Sequence, residues 1–545
     1  MKRIIFIISS LAFVSVLSGC SDFLERQKYG PSGTWETQEE VENAVAALWS
    51  NVSNNAEGVT GRGIMWFECC SDNMTVGRPQ DEANQIRNFM MSPTNGRDVR
   101  DTWPEMYKVN AKANNLISTV PTMTSVLSDE YINEVLGIAY FWRGLAMLWI
   151  APYYGDNGPN GGIPIVLETT ATEDIDVARP ESVIMNYDQI ISDMREAARR
   201  LPYLSELRAD RTGYPHKAAA WALAARAALY AASYDNGGRA NPDYYYNIVI
   251  EMCNNIMNMS GADARDLYDD GSDDAFANLW TSENNYSCEY LFSLVGSAVD
   301  GPKFHGMSFQ NGGWGFYNTW GYYQPTYGLW EAYEDGDIRR DATILYPGQH
   351  ITFVGRDILF GSNTYTISSD TGMTFRKFMS PWEDADCIGK DVSTNGDNSS
   401  NNLGMSFIRF ADVLLMKAEA LIALNGEGDS EAKALLNRIR KRARLPEDSQ
   451  ATWAELKKER RCELAFEFMP SRFVDLVRWG DAQEVCAQPT YGVSSHWDAA
   501  SSSVVVDGPV QYDSGRTFDP AKNHVFPIPS AAFDGSVNLM QNQGY

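Results

Sequence analysis

Residues 216–234 constrain the fold most strongly, because ten of these nineteen residues are alanine. Alanine is the best helix former, and its small side chain lets neighbouring helices approach each other closely. Trp221, Leu223, Leu229 and Tyr230 lie among the alanines and supply larger apolar side chains. The segment therefore predicts a helix that packs closely against other helices.

Helical periodicity recurs along the chain. Apolar residues follow three-and-four spacing in 186–201 and again in 131–150, where Pro152 is predicted to end the helix. Two further helices are predicted at 409–424 and 430–445, with a glycine-containing breaker between them. Paired helices separated by short turns predict a mostly α fold with a tetratricopeptide-like scaffold of helical pairs, although the sequence has no clean repeat of about 34 residues.

Two long stretches, 260–325 and 345–405, have a different character. They are rich in Gly, Asn, Ser, Asp and aromatic residues, and they contain short strand-like pieces such as 290–295 and 351–354. Loops of this length in a compact protein are usually functional or disordered, and the aromatic content favours an ordered loop. The predicted plan is a helical scaffold that carries a long irregular, loop-rich region and a few short strands.

The N-terminus has the pattern of an export signal. Lys2 and Arg3 precede an apolar run from Ile4 to Leu17, whose 14 residues are fewer than a membrane span needs. The run leads to Leu-Ser-Gly-Cys, which resembles a bacterial lipobox, so Cys20 is predicted to be lipidated after cleavage. Acyl chains on Cys20 would hold the protein at a membrane surface. The alternative is an ordinary cleaved signal with a chance cysteine.

The charge balance and the cysteines exclude several classes of partner. The chain has 71 acidic and 45 basic residues, which gives a net charge of −26 at pH 7. This charge argues against nucleic-acid binding and against peripheral attachment to anionic lipid, so the membrane anchor would be covalent. Apart from Cys20, the cysteines are scattered without a CxxC pair. They are interpreted as buried, small apolar side chains, and neither a disulfide framework nor a zinc site is predicted.

Six segments carry a family resemblance: 139–146 (AYFWRGLA), 408–420 (IRFADVLLMKAEA), 437–443 (NRIRKRA), 459–467 (ERRCELAFE), 472–480 (RFVDLVRWG) and 541–545 (QNQGY). Together they resemble the SusD/RagB family of bacterial surface nutrient-binding lipoproteins, and the resemblance extends over essentially the whole chain. Two departures from the family pattern, at Phe468–Ser471 and at Gln543, are interpreted as local loop changes.

The resemblance implies a function. A member of this family is expected at the cell surface, on a lipid anchor in the outer membrane. It would capture a glycan nutrient and deliver it to a SusC-like TonB-dependent transporter, with no enzymatic activity and no cofactor. A peptide-binding member of the same family and an extracellular glycoside hydrolase are the alternatives.

The charged residues inside the signature helices are interpreted as ion pairs that hold the scaffold: Arg409, Asp412, Glu463, Glu467, Arg472, Asp475 and Arg478.

This reading divides the chain into named parts. They are a lipoprotein signal peptide (1–19), a lipidated cysteine with its tether (20–33) and a single domain (34–545), in which the helical scaffold (about 34–259 and 406–545) carries a loop-rich, ligand-facing region (about 260–405).

The segment 304–333 is the first candidate for ligand contact, because eleven of its thirty residues are aromatic. Its part at 312–323 contains four glycines and has no regular period. Rigid rings on a flexible backbone suit stacking on a sugar ring or on a peptide side chain. The predicted ligand contacts are Trp314, Trp320, Tyr322 and Tyr323, and the alternative is that these rings pack the loop onto the scaffold. A helix is predicted to begin within Pro325 to Tyr333, which assigns to the core Tyr327, Trp330 and Tyr333.

A second candidate segment lies near the N-terminus, where the resemblance implies a loop that shares the binding face. Its predicted ligand contacts are Trp66, Asp72, Asn73 and Arg78. The polar side chains among them would supply fixed hydrogen bonds to ligand hydroxyls. The alternative is a capped turn in which Ser71 or Asp72 serves as an N-cap.

No metal site and no catalytic motif is predicted. Residues 391–397 resemble the start of a calcium loop, but Asn402 stands where the bidentate Glu is needed, so a solvated loop is favoured. Residues 269–274 are interpreted as a turn, although calcium can occur in resembling proteins. The acidic residues beside the aromatic segment are interpreted as the solvated end of a helix, not as a catalytic pair: Glu331, Glu334, Asp335 and Asp337.

Overall fold

The computed structural model of the chain describes residues 35–53, 67–77, 81–167, 176–234, 241–294, 323–353, 356–367, 369–378, 403–467, 469 and 471–545. Within these ranges the fold is largely helical, as predicted, with a few short strands. The helices in chain order are α1 (Gln38–Ser53), α2 (Asp81–Arg87), α3 (Arg97–Thr119), α4 (Asp129–Tyr154), α5 (Val183–Arg200), α6 (Lys217–Ser233), α7 (Pro242–Met257), α8 (Ala275–Asn278), α9 (Tyr327–Trp330), α10 (Ile338–Thr343), α11 (Phe410–Asn425), α12 (Ser430–Arg442), α13 (Trp453–Glu463), α14 (Arg472–Arg478) and α15 (Ala482–Cys486).

Successive helices pack against each other to form the scaffold. The contacts run from α3 to α4, α4 to α5, α5 to α6 and α6 to α7, and α7 in turn packs against α11. The alanine-rich helix α6 is almost entirely buried, as its composition predicts. Close approach is also enforced at Gly144 of α4, where an added Cβ would lie only 2.9 Å from Cε of Met194. Small side chains therefore set the spacing of these helices.

Helix α4 runs further than the sequence predicts. Pro152 was expected to end it, but the helix continues to Tyr154, and the N–H of Gly155 still donates to the carbonyl of Ala151. Proline lacks its N–H donor and its ring crowds the carbonyl four residues earlier, but Pro152, Tyr153 and Tyr154 are all buried, and this tertiary packing keeps the last turn helical. Helix α4 is also long and apolar enough to span a membrane, but 94% of its apolar window is buried inside the protein. It is a core helix of the scaffold.

The strands form two-stranded antiparallel sheets that fasten distant parts of the chain together. The strands are β1 (Met74–Val76), β2 (Tyr290–Leu294), β3 (Tyr323–Pro325), β4 (Ile344–Leu345), β5 (His350–Phe353), β6 (Arg356–Leu359), β7 (Thr374–Phe375), β8 (Met405–Arg409), β9 (Thr490–Asp498) and β10 (Ser503–Asp513). They pair as β1 with β3, β2 with β8, β4 with β7, β5 with β6 and β9 with β10. The short strands predicted at 290–295 and 351–354 correspond to β2 and β5.

The buried apolar side chains form one continuous core that extends from Val41 to Ile528. Tyr333 belongs to this core, and Tyr327 and Trp330 pack against it, in agreement with the sequence prediction. Most of the described cysteines are reduced and buried, as expected: Cys69, Cys70, Cys253, Cys462 and Cys486. Burial raises the pKa of the Cys69 thiol to about 12, so this side chain acts as a small apolar group. Cys288 is reduced and exposed.

Candidate functional site

The two candidate ligand segments meet at one sheet of the scaffold. Strand β1 lies within the N-terminal candidate segment, between Asn73 and Arg78, and strand β3 lies within the aromatic segment 304–333. The two strands pair antiparallel, with Val76 opposite Tyr323 and Met74 opposite Pro325. The side chain of Gln324 strengthens the joint by donating from Nε2 to the carbonyl of Gly77 at 3.2 Å. The β1–β3 pair therefore joins the two candidate segments, although they are far apart in the chain.

Most of the predicted ligand contacts lie outside the described residues: Trp66, Arg78, Trp314, Trp320 and Tyr322. The lipidation site Cys20 lies outside them as well. The described candidates are Tyr323 and Asn73, which are buried in the scaffold, and Asp72, which is partly buried.

Tyr323 is a core residue. Its side chain is fully buried in β3, so it offers no surface to a ligand. The sequence prediction assigned it to the ligand loop because it continues the aromatic run, whereas the loop has already entered the sheet at this residue. Pairing with a distant strand overrides the local sequence pattern here.

Asp72 holds two arginines of the C-terminal half. Its carboxylate accepts from Nε of Arg472 at 2.9 Å and lies 3.0 Å from Nη2 of Arg461. Burial opposes ionisation of Asp72, but Arg461 and Arg472 outweigh it and hold the pKa of this carboxyl well below its usual range. The charge of Asp72 is therefore used within the scaffold and not held ready for a ligand.

Asn73 is equally committed to internal contacts. Its side chain is buried, donates from Nδ2 to Glu68 at 3.2 Å and accepts from Nε of Arg461 at 2.8 Å. Its backbone N–H donates to Oγ of Ser71 at 3.1 Å, and its carbonyl accepts from the N–H of Thr326. The segment is a turn stabilised by side chains, but the alternative prediction of Ser71 or Asp72 as an N-cap was wrong, because strand β1 and not a helix follows them.

Glu68 is the unusual titratable group of this region. Its buried carboxyl accepts from the N–H of Arg472 at 3.0 Å, from Oγ of Ser471 at 3.2 Å and from Asn73. Burial raises the pKa of Glu68 to about 7, although these hydrogen bonds favour the charged form. The residue therefore changes its charge near neutral pH, at the point where the N-terminal segment holds the start of α14.

A buried ion-pair network surrounds Arg409 at the end of β8. Its guanidinium donates to Glu467 at 2.7 and 2.8 Å and to Glu463 at 2.6 Å, and it also contacts Glu289. Burial opposes the charge of Glu463, but arginines including Arg442 and Arg409 hold its pKa well below the usual range. All of these side chains are sealed from solvent.

A second buried network joins α6, α11, α13 and α14. Asp412 accepts from Arg226 at 2.6 Å and from Arg460 at 2.8 Å. Asp475 accepts from the same Arg460 at 3.1 Å and from Nε of Arg478 at 2.8 Å. The interpretation of the signature charges as ion pairs is confirmed, because these pairs tie helices together and do not line a cleft.

Two of the four acidic residues near the aromatic loop, Glu334 and Asp337, form ion pairs and are not part of a solvated helix end. Glu334 accepts from Arg440 and from Lys458, both at 2.9 Å, and these partners lower its pKa to about 2. Asp337 is buried and pairs with Arg339 at 2.7 Å. The sequence interpretation was wrong for these two residues. The partners of Glu334 are more than 100 residues away in the chain, and Arg339, the partner of Asp337, lies in the first turn of α10.

Within the described ranges, no group of three or more His, Cys, Asp and Glu side chains is arranged to hold a metal ion. The candidate calcium loop at 391–397 lies outside those ranges. In the acidic turn at 269–274, Asp269 pairs with Arg444 at 2.8 Å, and the carboxylate of Asp270 accepts from the N–H of Ser272 at 2.9 Å. These carboxylates are occupied by the turn and its neighbouring arginine.

The fold and these contacts define a class of protein: a helical scaffold, braced by buried ion pairs, to which a candidate ligand face is fastened by short strands. Comparison of the sequence with models of known protein families identifies the family to which this fold belongs. The model of the SusD family matches residues 228–545, and a second model, described as starch-binding associating with outer membrane, matches residues 22–229. The chain belongs to the SusD family.

Individual relatives cover nearly the whole chain at low identity. A SusD-like protein of Formosa agariphila is 25% identical over 99% of both chains. The crystal structure of a SusD-like protein from Bacteroides fragilis superposes with a TM-score of 0.75 at 22% identity, covering 94% of this chain and 98% of that one. Surface glycan-binding protein A from Bacteroides thetaiotaomicron, in complex with laminarihexaose, gives a TM-score of 0.70 at 17% identity, covering 93% and 100%. At these identities the solved structures show a shared fold.

Proposed function

We propose that this protein is a cell-surface glycan-binding lipoprotein. The observation that carries the proposal is the family match along the chain, which includes a model described as starch-binding associating with outer membrane. A laminarihexaose complex among the structures of the same fold supports an oligosaccharide as the class of ligand. The aromatic loop of this chain supplies rings suited to stacking on sugars.

The described structure supports binding without catalysis. The signature carboxylates are sealed inside the scaffold and paired with arginines. A glycosidase needs two carboxylates that flank the scissile bond in an accessible cleft, and buried, salt-bridged acids cannot serve that role. The buried networks are unsuited to ligand contact, and the proposal keeps Trp314 and Trp320 of the aromatic loop as the contacts that the sequence predicts.

Electrophoresis in native gels that contain a soluble polysaccharide tests this function. The mature protein should be retarded by one class among laminarin, starch, xylan, mannan and pectin, and the Trp314→Ala/Trp320→Ala variant should be retarded clearly less in the same gel. Unchanged mobility in every gel, combined with binding of a peptide digest, would reassign the ligand to peptides within the same family.

We further propose that the protein is anchored in the outer membrane through Cys20 and delivers its glycan to a SusC-like TonB-dependent transporter. The lipobox-like sequence and the family membership support this arrangement. Affinity purification from membranes solubilised in mild detergent should recover a barrel transporter in stoichiometric amount. Repeated recovery of the chain alone would contradict the transporter partnership.

A further inference from the structure

A groove of about 520 Å³ lies on the outer face of the scaffold, between α5 and α7. Both helices also pack against α6. The volume is within the range of small-molecule sites in proteins. It is formed entirely by scaffold helices, so it is separate in the chain from both candidate ligand segments.

The groove has an apolar floor and an aromatic wall. Ile191 of α5 and Ile248 of α7 are buried at its base, beside the buried ring of Tyr245. The neighbouring Tyr244 is 54% exposed, and its ring meets that of Tyr245 edge to face at 5.1 Å. The exposed ring of Tyr244 therefore lines the groove, and a tyrosine ring loses little side-chain entropy when it orders on a ligand.

The rim supplies hydrogen-bonding groups, and two of its charged side chains are paired with neighbours. Arg195 pairs with Glu251 at 3.0 Å, and Glu196 pairs with Arg199 at 2.9 Å. Asp188 accepts a hydrogen bond from the Tyr245 hydroxyl at 2.7 Å. Since a carboxylate has about four acceptor positions, Asp188 keeps capacity for further donors.

This combination selects against an anionic ligand. An anion would be repelled by the carboxylate of Asp188, which has no cationic partner among its described contacts, whereas a neutral molecule that carries hydroxyls can donate to Asp188 and stack on Tyr244. The exposed hydroxyl of Ser192 adds a donor and an acceptor on the same side of the groove. A carbohydrate has both the hydroxyls and the flat apolar face that these groups require.

We propose that the groove between α5 and α7 is a second carbohydrate site, which holds one or two neutral sugar units by stacking on Tyr244 and hydrogen bonding to Asp188. The choice of ligand class rests on the proposed function. A weak second site on the same chain would increase the affinity for long glycans by multivalency, without any change at the aromatic loop.

Saturation-transfer NMR on the mature protein tests this site with a fixed set of neutral disaccharides: maltose, cellobiose, laminaribiose, mannobiose and xylobiose. The protein carries Trp314→Ala and Trp320→Ala so that the aromatic loop contributes little. At least one disaccharide should give a signal, and Tyr244→Ala should weaken its binding by about three- to tenfold, the loss expected for one aromatic contact. Asp188→Asn should weaken it as well.

The matched control is Tyr286→Ala, which removes another tyrosine that is 51% exposed but lies outside the groove. It should leave the disaccharide signal unchanged. If no disaccharide gives a signal that depends on Tyr244, the second site does not exist. If charged sugars such as glucosamine or galacturonate bind there in preference to neutral ones, the proposed ligand class is wrong.

Binding measurements on the wild-type protein distinguish failure of the second site from failure of the proposed function. Glycan binding by the wild type that is indifferent to Tyr244→Ala would overturn the second site and leave the main function standing. Absence of any glycan binding by the wild type would overturn both.

Discussion

Arg409 and Glu463 form a fully buried ion pair, with 2.6 Å between Nη1 and Oε1, that joins the end of β8 to the end of α13. Glu463 also contacts Arg442 and lies 3.1 Å from Nη1 of Arg339. One carboxylate therefore neutralises part of the charge of three buried arginines. Its position makes it a structural centre of the scaffold.

Replacement of Glu463 by Gln should destabilise the protein strongly. Removal of one partner from a buried pair leaves uncompensated charge, a change that costs about 3–5 kcal/mol. Chemical denaturation of Glu463→Gln measures this loss, and Glu447→Gln, in an exposed pair with Lys441 at 3.8 Å, should change the free energy of unfolding by less than about 0.5 kcal/mol. Equal effects of the two substitutions would contradict the structural role.

Glu68 should make the stability depend on pH around neutrality. The pKa of Glu68 is about 7 in the folded protein against an ordinary value of 4.5, so between these values the folded state binds a proton that the unfolded chain has released. The stability contribution of Glu68 therefore falls as pH rises through this window and levels off above about pH 7.

Unfolding of the wild type and of Glu68→Gln at pH 5 and pH 8 measures this effect. Gln stays neutral, so the variant should lose less stability between the two pH values than the wild type does. Glu39→Gln is the control on an exposed site and should keep the wild-type difference. If Glu68→Gln keeps the wild-type difference too, the raised pKa of Glu68 is wrong.

Substitution of Trp314 and Trp320 by Ala should weaken glycan binding without lowering the melting temperature. The expected loss is at least about tenfold in affinity, since each stacked ring contributes roughly 0.5–1.5 kcal/mol beyond its buried area. Calorimetric titration gives the affinity, and differential scanning calorimetry gives the melting temperature. A large drop in melting temperature would place these rings in the core, where Tyr323 already lies.

Replacement of Cys20 by Ala should release the protein from the membrane. Without the thiol no acyl chain can be attached, and the acidic surface offers no alternative attraction to anionic lipid. Fractionation of cells that express each form measures the distribution. Cys288→Ala, a change at an exposed cysteine of the scaffold, should leave the protein in the membrane fraction. Retention of the Cys20→Ala form in the membrane would contradict the lipid anchor.

The scaffold could be predicted from sequence because its signals are local. Alanine content predicted α6, and a glycine-containing breaker predicted the separation of α11 from α12. Pro152 misled the prediction of where α4 ends, since burial of Pro152 and the two tyrosines after it keeps the last turn helical. Short-range patterns thus predicted most helices, and errors occurred at their ends.

The candidate site was harder to predict because its contacts join residues that are distant in the chain. Asp72 reads in the sequence as a polar loop residue, but Arg461 and Arg472 reach it from the far end of the chain. Tyr323 continues an aromatic run but pairs with Val76 in a sheet. A single sequence contains no signal for such pairings, so burial of these residues became visible only in the fold.

The most direct test of the proposed function is calorimetric titration of the mature protein with laminarihexaose, a panel of other oligosaccharides and a peptide digest, with product analysis of each mixture. Glycan capture predicts saturable binding of one class of oligosaccharide and no new products. Binding of peptides alone, or the appearance of shorter sugars, would contradict it.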